Sequence, residues 1–241
     1  MNPTGRFGSR AGAYAVFRPS YPPGAIDAAL AGLGDTHALV VADVGAGTGI
    51  SARLLADRCA QVIAVEPNAR MREAAKPHER VRWVDGSAES TGLADGSVDI
   101  VTACQAFHWF ANDVAMHEFR RIARRRAALL KYERDESDPF TKAYGDVVRS
   151  YATDDTEGLR EKGLAVFATF PGARAARHVV PLRQPLDCEG LLGRAASSSY
   201  LPTSGDAGEA LQRDLAAVFD RFARDGRVDL AMSTYVLTAD W

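Results

Sequence analysis

Between Leu39 and Tyr132 the apolar residues come in short runs separated by polar stretches of helical period. The runs are Leu39–Asp43 (LVVAD), Gln61–Val65 (QVIAV), Val81–Val84 (VRWV), Val98–Ala103 (VDIVTA) and Ala127–Tyr132. Each has the length of a buried strand. Between them the pattern predicts helices over about Ile50–Arg58, Asn68–Ala75 (with Asn68 as N-cap) and Asp113–Ala123, and a turn at Asp95-Gly96. Strands alternating with helices at this spacing build βαβ units, and hence a parallel sheet covered on both faces.

The flanks differ. The opening stretch is rich in Gly and Arg and then in aromatics, and prolines at 19, 22 and 23 forbid a regular helix before about Gly24–Leu33. Beyond Glu133 the rhythm loosens. A helix over about Pro139–Ala152, a strand at Arg177–Val180, helices near Glu189–Ala196 and Ala207–Arg224, and a strand Val228–Leu237 are expected. The chain divides accordingly into an N-terminal lid segment with the first helix (1–36), a cofactor-binding core (37–134), and a C-terminal part that completes the sheet and caps the site (135–241).

Composition narrows the class. With 46% hydrophobic and 25% charged residues and a net charge of −2, the 241-residue chain reads as an ordinary globular protein. This charge gives no reason to expect nucleic acid as partner, and no apolar run approaches the length of a membrane span. Met1–Arg10 lacks the apolar run of a secretory signal. Three scattered cysteines, Cys59, Cys104 and Cys188, argue for a reducing, cytoplasmic setting rather than a disulfide framework. Neither they nor the histidines show a metal-ligand spacing.

The chemistry concentrates at Asp43-Val-Gly-Ala-Gly-Thr-Gly49, between a strand and a helix. Glycines here let backbone approach a ligand closely, at the strand edge where open α/β sheets bind ligands. The dinucleotide fingerprint G-x-G-x-x-G would need glycine at position 50, which is Ile50, so the turn is of another kind. The second strand ends at Glu66, seventeen positions beyond Gly49, where a carboxylate can accept both hydroxyls of a ribose. The third strand leads into Asp85-Gly-Ser-Ala-Glu89 and the fourth into Gln105-Ala-Phe-His-Trp-Phe110. Four such features fall in order at the ends of successive strands.

With Tyr14…Arg18-Pro-Ser-Tyr-Pro22, Val65-Glu-Pro67 and Ser197-Ser-Ser-Tyr-Leu-Pro202, these segments resemble the class I S-adenosyl-L-methionine (SAM)-dependent methyltransferases, in the small-molecule branch that includes trans-aconitate-type enzymes. The resemblance implies a doubly wound, mostly parallel seven-stranded α/β sheet (a Rossmann-like methyltransferase fold) with a helical cap. It also implies SAM as cofactor and S-adenosyl-L-homocysteine as product. The cofactor would be held by Asp43, Gly45, Ala46, Gly47, Thr48, Gly49, Glu66, Pro67, Met71, Ser87, Ala88, Glu89, Gln105 and Ala106, with Asp43 serving its ammonium directly or through water. Two departures stand out. Ser87 replaces an aspartate that in many relatives holds the adenine amino group, and Arg124-Arg-Arg-Ala replaces a Pro-Gly-Gly turn before the fifth strand.

Methyl transfer from a sulfonium needs mainly alignment and exclusion of water. A carboxylate acceptor needs no base, whereas other acceptors can need one. His108, on the loop after the fourth strand and expected to face the methyl, is the candidate catalytic base, with packing or loop ordering as the alternative. Tyr14, Arg18, Tyr21, Trp109 and Tyr200 are the candidate acceptor-binding residues; a guanidinium fork such as that of Arg18 suits a carboxylate. The arginines at 120, 121, 124, 125 and 126 read as serving a helix C-terminus and solvent rather than nucleic acid. Aromatics at 140, 144, 151, 219 and 222 read as core packing. The expected function is transfer to a carboxylate oxygen of a small molecule by a cytoplasmic monomer or homodimer. The alternatives are N-, C- or other O-methylation in secondary metabolism, a non-catalytic SAM-binding protein, and a macromolecular methyltransferase.

Overall fold

The computed structural model describes residues 16–170 and 174–241. Seven strands form one sheet: β1 (Val40–Val44), β2 (Gln61–Val65), β3 (Val81–Val84), β4 (Val98–Cys104), β5 (Ala123–Arg134), β6 (Arg174–Leu186) and β7 (Val228–Asp240). Their order is β3-β2-β1-β4-β5-β7-β6. β1 pairs in parallel with both β2 and β4, and β7 runs antiparallel between β5 and β6. The chain order therefore reverses between β1 and β4, which opens a crevice at the carboxyl ends of those strands.

Helices cover both faces. Val41 and Ala42, adjacent on β1, point into different apolar clusters, as strand geometry requires. One cluster unites β1 with α1 (Pro23–Leu30), α2 (Ile50–Ala56), α5 (Pro139–Ser150), α7 (Cys188–Ala196) and α8 (Gly205–Phe222) through Ile26, Leu55, Phe140, Leu191 and Leu215. The other joins the sheet to α4 (Asp113–Ile122) and α6 (Thr156–Ala168) through Phe119 and Phe167. The short α3 (Ala69–Glu73) starts where the Asn68 side chain accepts the N–H groups of Arg70 and Met71. No described helix is long and apolar enough to cross a membrane.

The expected elements are present, with three differences. The segment that loosens after Ala152 holds α6, whose start is capped by Asp155 accepting the Gly158 N–H; glycines at 158 and 163 weaken its helical signal. β6 is far longer than Arg177–Val180 and runs through Pro181 and Pro185, which its position as the outermost strand tolerates. β5 begins immediately after α4, so Arg124–Arg126 belong to the strand and no separate turn exists.

The basic run keeps Arg120 and Arg121 exposed in the last turn of α4 and Arg124 exposed on β5, each with a partner, and only Arg126 leaves solvent. Arg120 stacks on Trp241, Arg121 bridges Glu118 and Asp95, and Arg124 binds Asp99 and the Gly96 carbonyl. Arg126 is buried and grips the Asp240 carboxylate through Nε and Nη2, while its Nη1 donates to the Ala29 and Ala31 carbonyls at 2.8 Å. It thus ties β5 to β7 and closes the C-terminus of α1. Replacing it leaves two carbonyls and a carboxylate without their donor. Arg126→Met is expected to lower unfolding free energy by about 2–4 kcal/mol in urea denaturation, and an unchanged midpoint would contradict this assignment.

Candidate functional site

A cavity of about 420 Å³ opens at the carboxyl ends of β1, β2, β3 and β4, a size typical of small-molecule sites. Its wall includes Gly45, Ala46, Gly47 and Thr48 after β1, Glu66, Pro67, Asn68 and Met71 after β2, Ser87, Ala88 and Glu89 after β3, and Cys104, Gln105 and Ala106 at the end of β4. Arg18, Tyr21, Trp109, Phe110 and Tyr132 complete the wall, with Phe110 packed close to Gly45. Four loops distant in sequence converge because the sheet sets their strands side by side.

The glycine turn is shaped by packing as well as by the space it leaves. At Gly45, φ is 71°, and an added Cβ would lie 2.6 Å from the Ala106 Cβ, so only glycine lets the first and fourth loops touch. Gly49 is the left-handed N-cap of α2 and does not line the cavity; it sets the turn rather than the wall. The Glu66 carboxylate holds the loops together. Its Oε2 accepts the Gly47 N–H at 2.9 Å and its Oε1 the Asn68 N–H at 3.0 Å. Each oxygen keeps a further lone pair at the cavity wall, the capacity a ribose diol requires. Burial raises the Glu66 pKa, against the lowering effect of the Asn68 and Gly47 N–H groups and Arg72.

Thr48 is buried at the cavity wall, and its Oγ1 has no hydrogen-bond partner among the described residues. A buried orphan hydroxyl beside an anionic diol site fits a ligand with a polar end and a ribose. SAM is such a ligand. Ser87 reaches the cavity, but its Oγ already accepts the Ser90 N–H at 3.2 Å, so its remaining role toward an adenine is through the second lone pair. Gln105, at a left-handed φ of 55°, donates its Nε2 to the Tyr132 carbonyl at 3.0 Å. A strained non-glycine residue held this way is a feature of functional loops.

Two expectations need correction. Asp43 does not face the cavity. It is fully buried behind the glycine turn and accepts the hydroxyls of Ser51 at 2.6 Å and Thr102 at 2.9 Å, joining β1, α2 and β4. Any effect on a cofactor ammonium passes through the loop, not through direct contact. His108 does not face the cavity either. On the short helical turn Phe107–Trp109, it lines a narrow recess beside α6 with Lys131, Arg160 and Gly163, and also the small recess it shares with Arg18, Trp109 and Tyr200. Burial, then the charges of Arg160, Lys131 and Arg18, push its pKa down to about 3. A group that weakly basic is poorly matched to proton removal near neutrality.

Of the acceptor candidates, Arg18, Tyr21 and Trp109 line the cavity, and Tyr14 lies outside the described residues. Tyr200 lines a small adjoining recess with Arg18, Gln105, His108, Trp109, Thr156 and Arg160. The sequence reading missed Cys104, Asn68, Phe110 and Tyr132. Tyr132 had a usable signal, since it ends the apolar run of the fifth strand, on the same edge as the other loops.

Burial pushes the Asp43 carboxyl up to about 6, against the lowering effect of Ser51, Thr102 and Cys104. The charged form is therefore disfavoured in the fold. That cost is absent below the unfolded value of 3.8 and fully present above about 6. Measured by urea unfolding, the stability of wild type relative to Asp43→Asn is expected to fall as pH rises from 4 to 7, by up to about 3 kcal/mol. A difference that stays flat over that range would show that Asp43 ionises normally.

Comparison with known proteins agrees with this geometry. The family model for a methyltransferase domain matches residues 42–130, the span from β1 to β5. An uncharacterized methyltransferase of Mycobacterium tuberculosis is 36% identical over 203 residues, covering 82% of this chain and 78% of the relative. An uncharacterized methyltransferase-like protein of Schizosaccharomyces pombe is 32% identical over 145 residues, 58% of this chain and 57% of that protein. A structure described as a type II methyltransferase from Anaeromyxobacter dehalogenans shares the fold, with a TM-score of 0.64 at 24% identity over 93% of this chain and 97% of that one. The loop set at the β1–β4 crevice and the extended similarity lead to one conclusion: the chain belongs to the methyltransferase-domain family and is a SAM-dependent methyltransferase.

Proposed function

We propose that the acceptor is a small molecule methylated on a carboxylate oxygen. The observation that carries this reading is the positive charge that Arg18 brings to the cavity beside two phenols. The carboxylates of the cavity, Glu66 and Glu89, stand on the loops after β2 and β3, whereas Arg18 lines it together with Tyr21 and Tyr132 from the N-terminal segment and β5. Arg160 and Tyr200 continue it into the adjoining recess. Burial alone would raise the Tyr200 pKa, yet Arg160, Arg18 and Arg134 bring it below the ordinary value. A pocket side of this sign suits an anion.

SAM when bound supplies a methyl group already activated on a positive sulfur. The residues of this chain have the remaining tasks. Glu66 and the glycine turn hold the ribose end, and Arg18 turns a carboxylate oxygen toward the cavity. Trp109, Phe110 and Tyr21 exclude water from the line of displacement. A carboxylate attacks as it stands, so no proton need be removed. The absence of a poised base at His108 is consistent with such an acceptor.

Calorimetric titration is expected to give micromolar binding of SAM and S-adenosylhomocysteine and none of NAD. Gly47→Arg, which projects a long side chain into the cavity, should abolish that binding, and Glu66→Ala should weaken it by about 10- to 100-fold. Unchanged affinity in both variants would refute the site. With a carboxylic-acid panel, base-labile methyl esters and stoichiometric S-adenosylhomocysteine are expected. His108→Asn should keep kcat within about tenfold, without a pH limb of its own. Methyl transfer confined to amines, carbon acids, protein or RNA would overturn the carboxylate reading.

A further inference from the structure

Behind the cationic wall lies a buried charge that the reading above leaves unused. Arg194, on α7, is only 6% exposed. Its Nη2 donates to the Met232 sulfur at 3.4 Å, and its Nε and Nη1 have no hydrogen-bond partner among the described residues. Its guanidinium carbon stands 5.7 Å from the centre of the Tyr132 ring. A buried cation without a carboxylate is costly to the fold. The arrangement makes sense if it acts on something the free protein lacks.

Tyr132 is the link between this charge and the cavity. Its ring is buried but lines the cavity wall, 5.9 Å from the ring of Tyr21. Its backbone carbonyl is held by Gln105, and the charge of Arg18 bears on its phenol. A guanidinium can only donate, so the phenol O–H is not taken up by Arg18 and remains to be donated. Arg18 is held by the Ser197 carbonyl and the Ser198 hydroxyl, both at 3.3 Å, just beyond the helix that carries Arg194. α7 thus brings Arg194 to the Tyr132 ring, and the segment just after it anchors Arg18 at the same cavity.

Resting on the carboxylate reading, we propose that Tyr132 binds the acceptor: its hydroxyl donates to one carboxylate oxygen alongside Arg18, and Arg194 is a positioning residue that fixes the ring and strengthens this hydrogen bond. The groups that face the phenol all push one way. Burial raises its pKa, but Arg18, Arg194 and Arg160 together bring it below the ordinary tyrosine value. The Tyr21 ring is its aromatic neighbour at the cavity. A more acidic phenol is a stronger donor as long as it keeps its proton.

The test is calorimetric binding of benzoate, cinnamate and succinate to the protein loaded with S-adenosylhomocysteine, between pH 7 and 10.5. Wild type is expected to lose affinity on an alkaline limb below pH 10 as the phenol ionises. Tyr132→Phe should weaken binding at pH 7 by about 10- to 100-fold and remove the limb, with S-adenosylhomocysteine affinity unchanged. Arg194→Met should move the limb to higher pH, and Arg194→Lys should restore it. Arg194→Met should also unfold at higher urea than wild type, because it removes a buried unpaired charge. Equal affinity and an unmoved limb in both Tyr132→Phe and Arg194→Met would overturn this inference alone. A wild-type protein that binds none of the three acids would overturn the carboxylate reading and this inference with it.

Discussion

The site depends on the carboxylate of Glu66 more than on any other single group. By accepting the Gly47 N–H and the Asn68 N–H it joins the loop after β1 to the loop after β2. Without it, two backbone donors at a cavity wall would lack an acceptor, and the glycine turn would lose its brace on that side. Asp43 performs the matching task one layer deeper, where the hydroxyls of Ser51 and Thr102 tie the same turn to α2 and β4. Two acids therefore fix one loop from two directions. Only the nearer one touches the cavity.

This division explains which parts of the site were legible in the sequence. The loops after β1, β2 and β3 are local features, each a few residues after an apolar run, so their residues could be assigned from spacing alone. Asp43 shares that local pattern, yet no sequence feature tells whether a carboxylate at a strand end points toward the cavity or into the fold; its neighbours on α2 and β4 decide. His108 failed for a similar reason. Its loop is at the expected place, but the turn Phe107–Trp109 is covered by α6, which the sequence pattern hid behind two glycines. One of these, Gly163, is what allows the contact, since a Cβ there would lie 3.1 Å from the His108 Cα. The feature that weakened the helical signal also buries the histidine.

The sheet itself was legible in its first five strands because a parallel strand covered on both faces must be apolar throughout. β6 was not, because nearly all its residues are exposed and it carries two prolines. Its length comes from its partner: β7 pairs with it from Asp240 to Val228, and pairing overrides propensity at an edge. The same holds for Arg124–Arg126. Three consecutive arginines look like the solvated end of a helix until β7 and the end of α1 supply Asp240 and two carbonyls for Arg126.

Acceptor recognition follows a different logic from cofactor recognition. The side chains of the proposed acceptor wall come from the N-terminal segment (Arg18), β5 (Tyr132), α6 (Arg160) and the loop after α7 (Tyr200), with Arg194 of α7 buried behind them, and no two of them form a local motif. Their grouping is a property of the tertiary structure, and the cost of gathering positive charge there is borne by a core that the two apolar clusters already stabilise. A cofactor pocket can be read from a short span because every member of the fold builds it from the same strand ends. An acceptor pocket assembled from five distant segments can change one segment at a time without disturbing that span. On the reading proposed above, the charge of the wall is a better guide to the acceptor than any motif of the core, and it favours an anion.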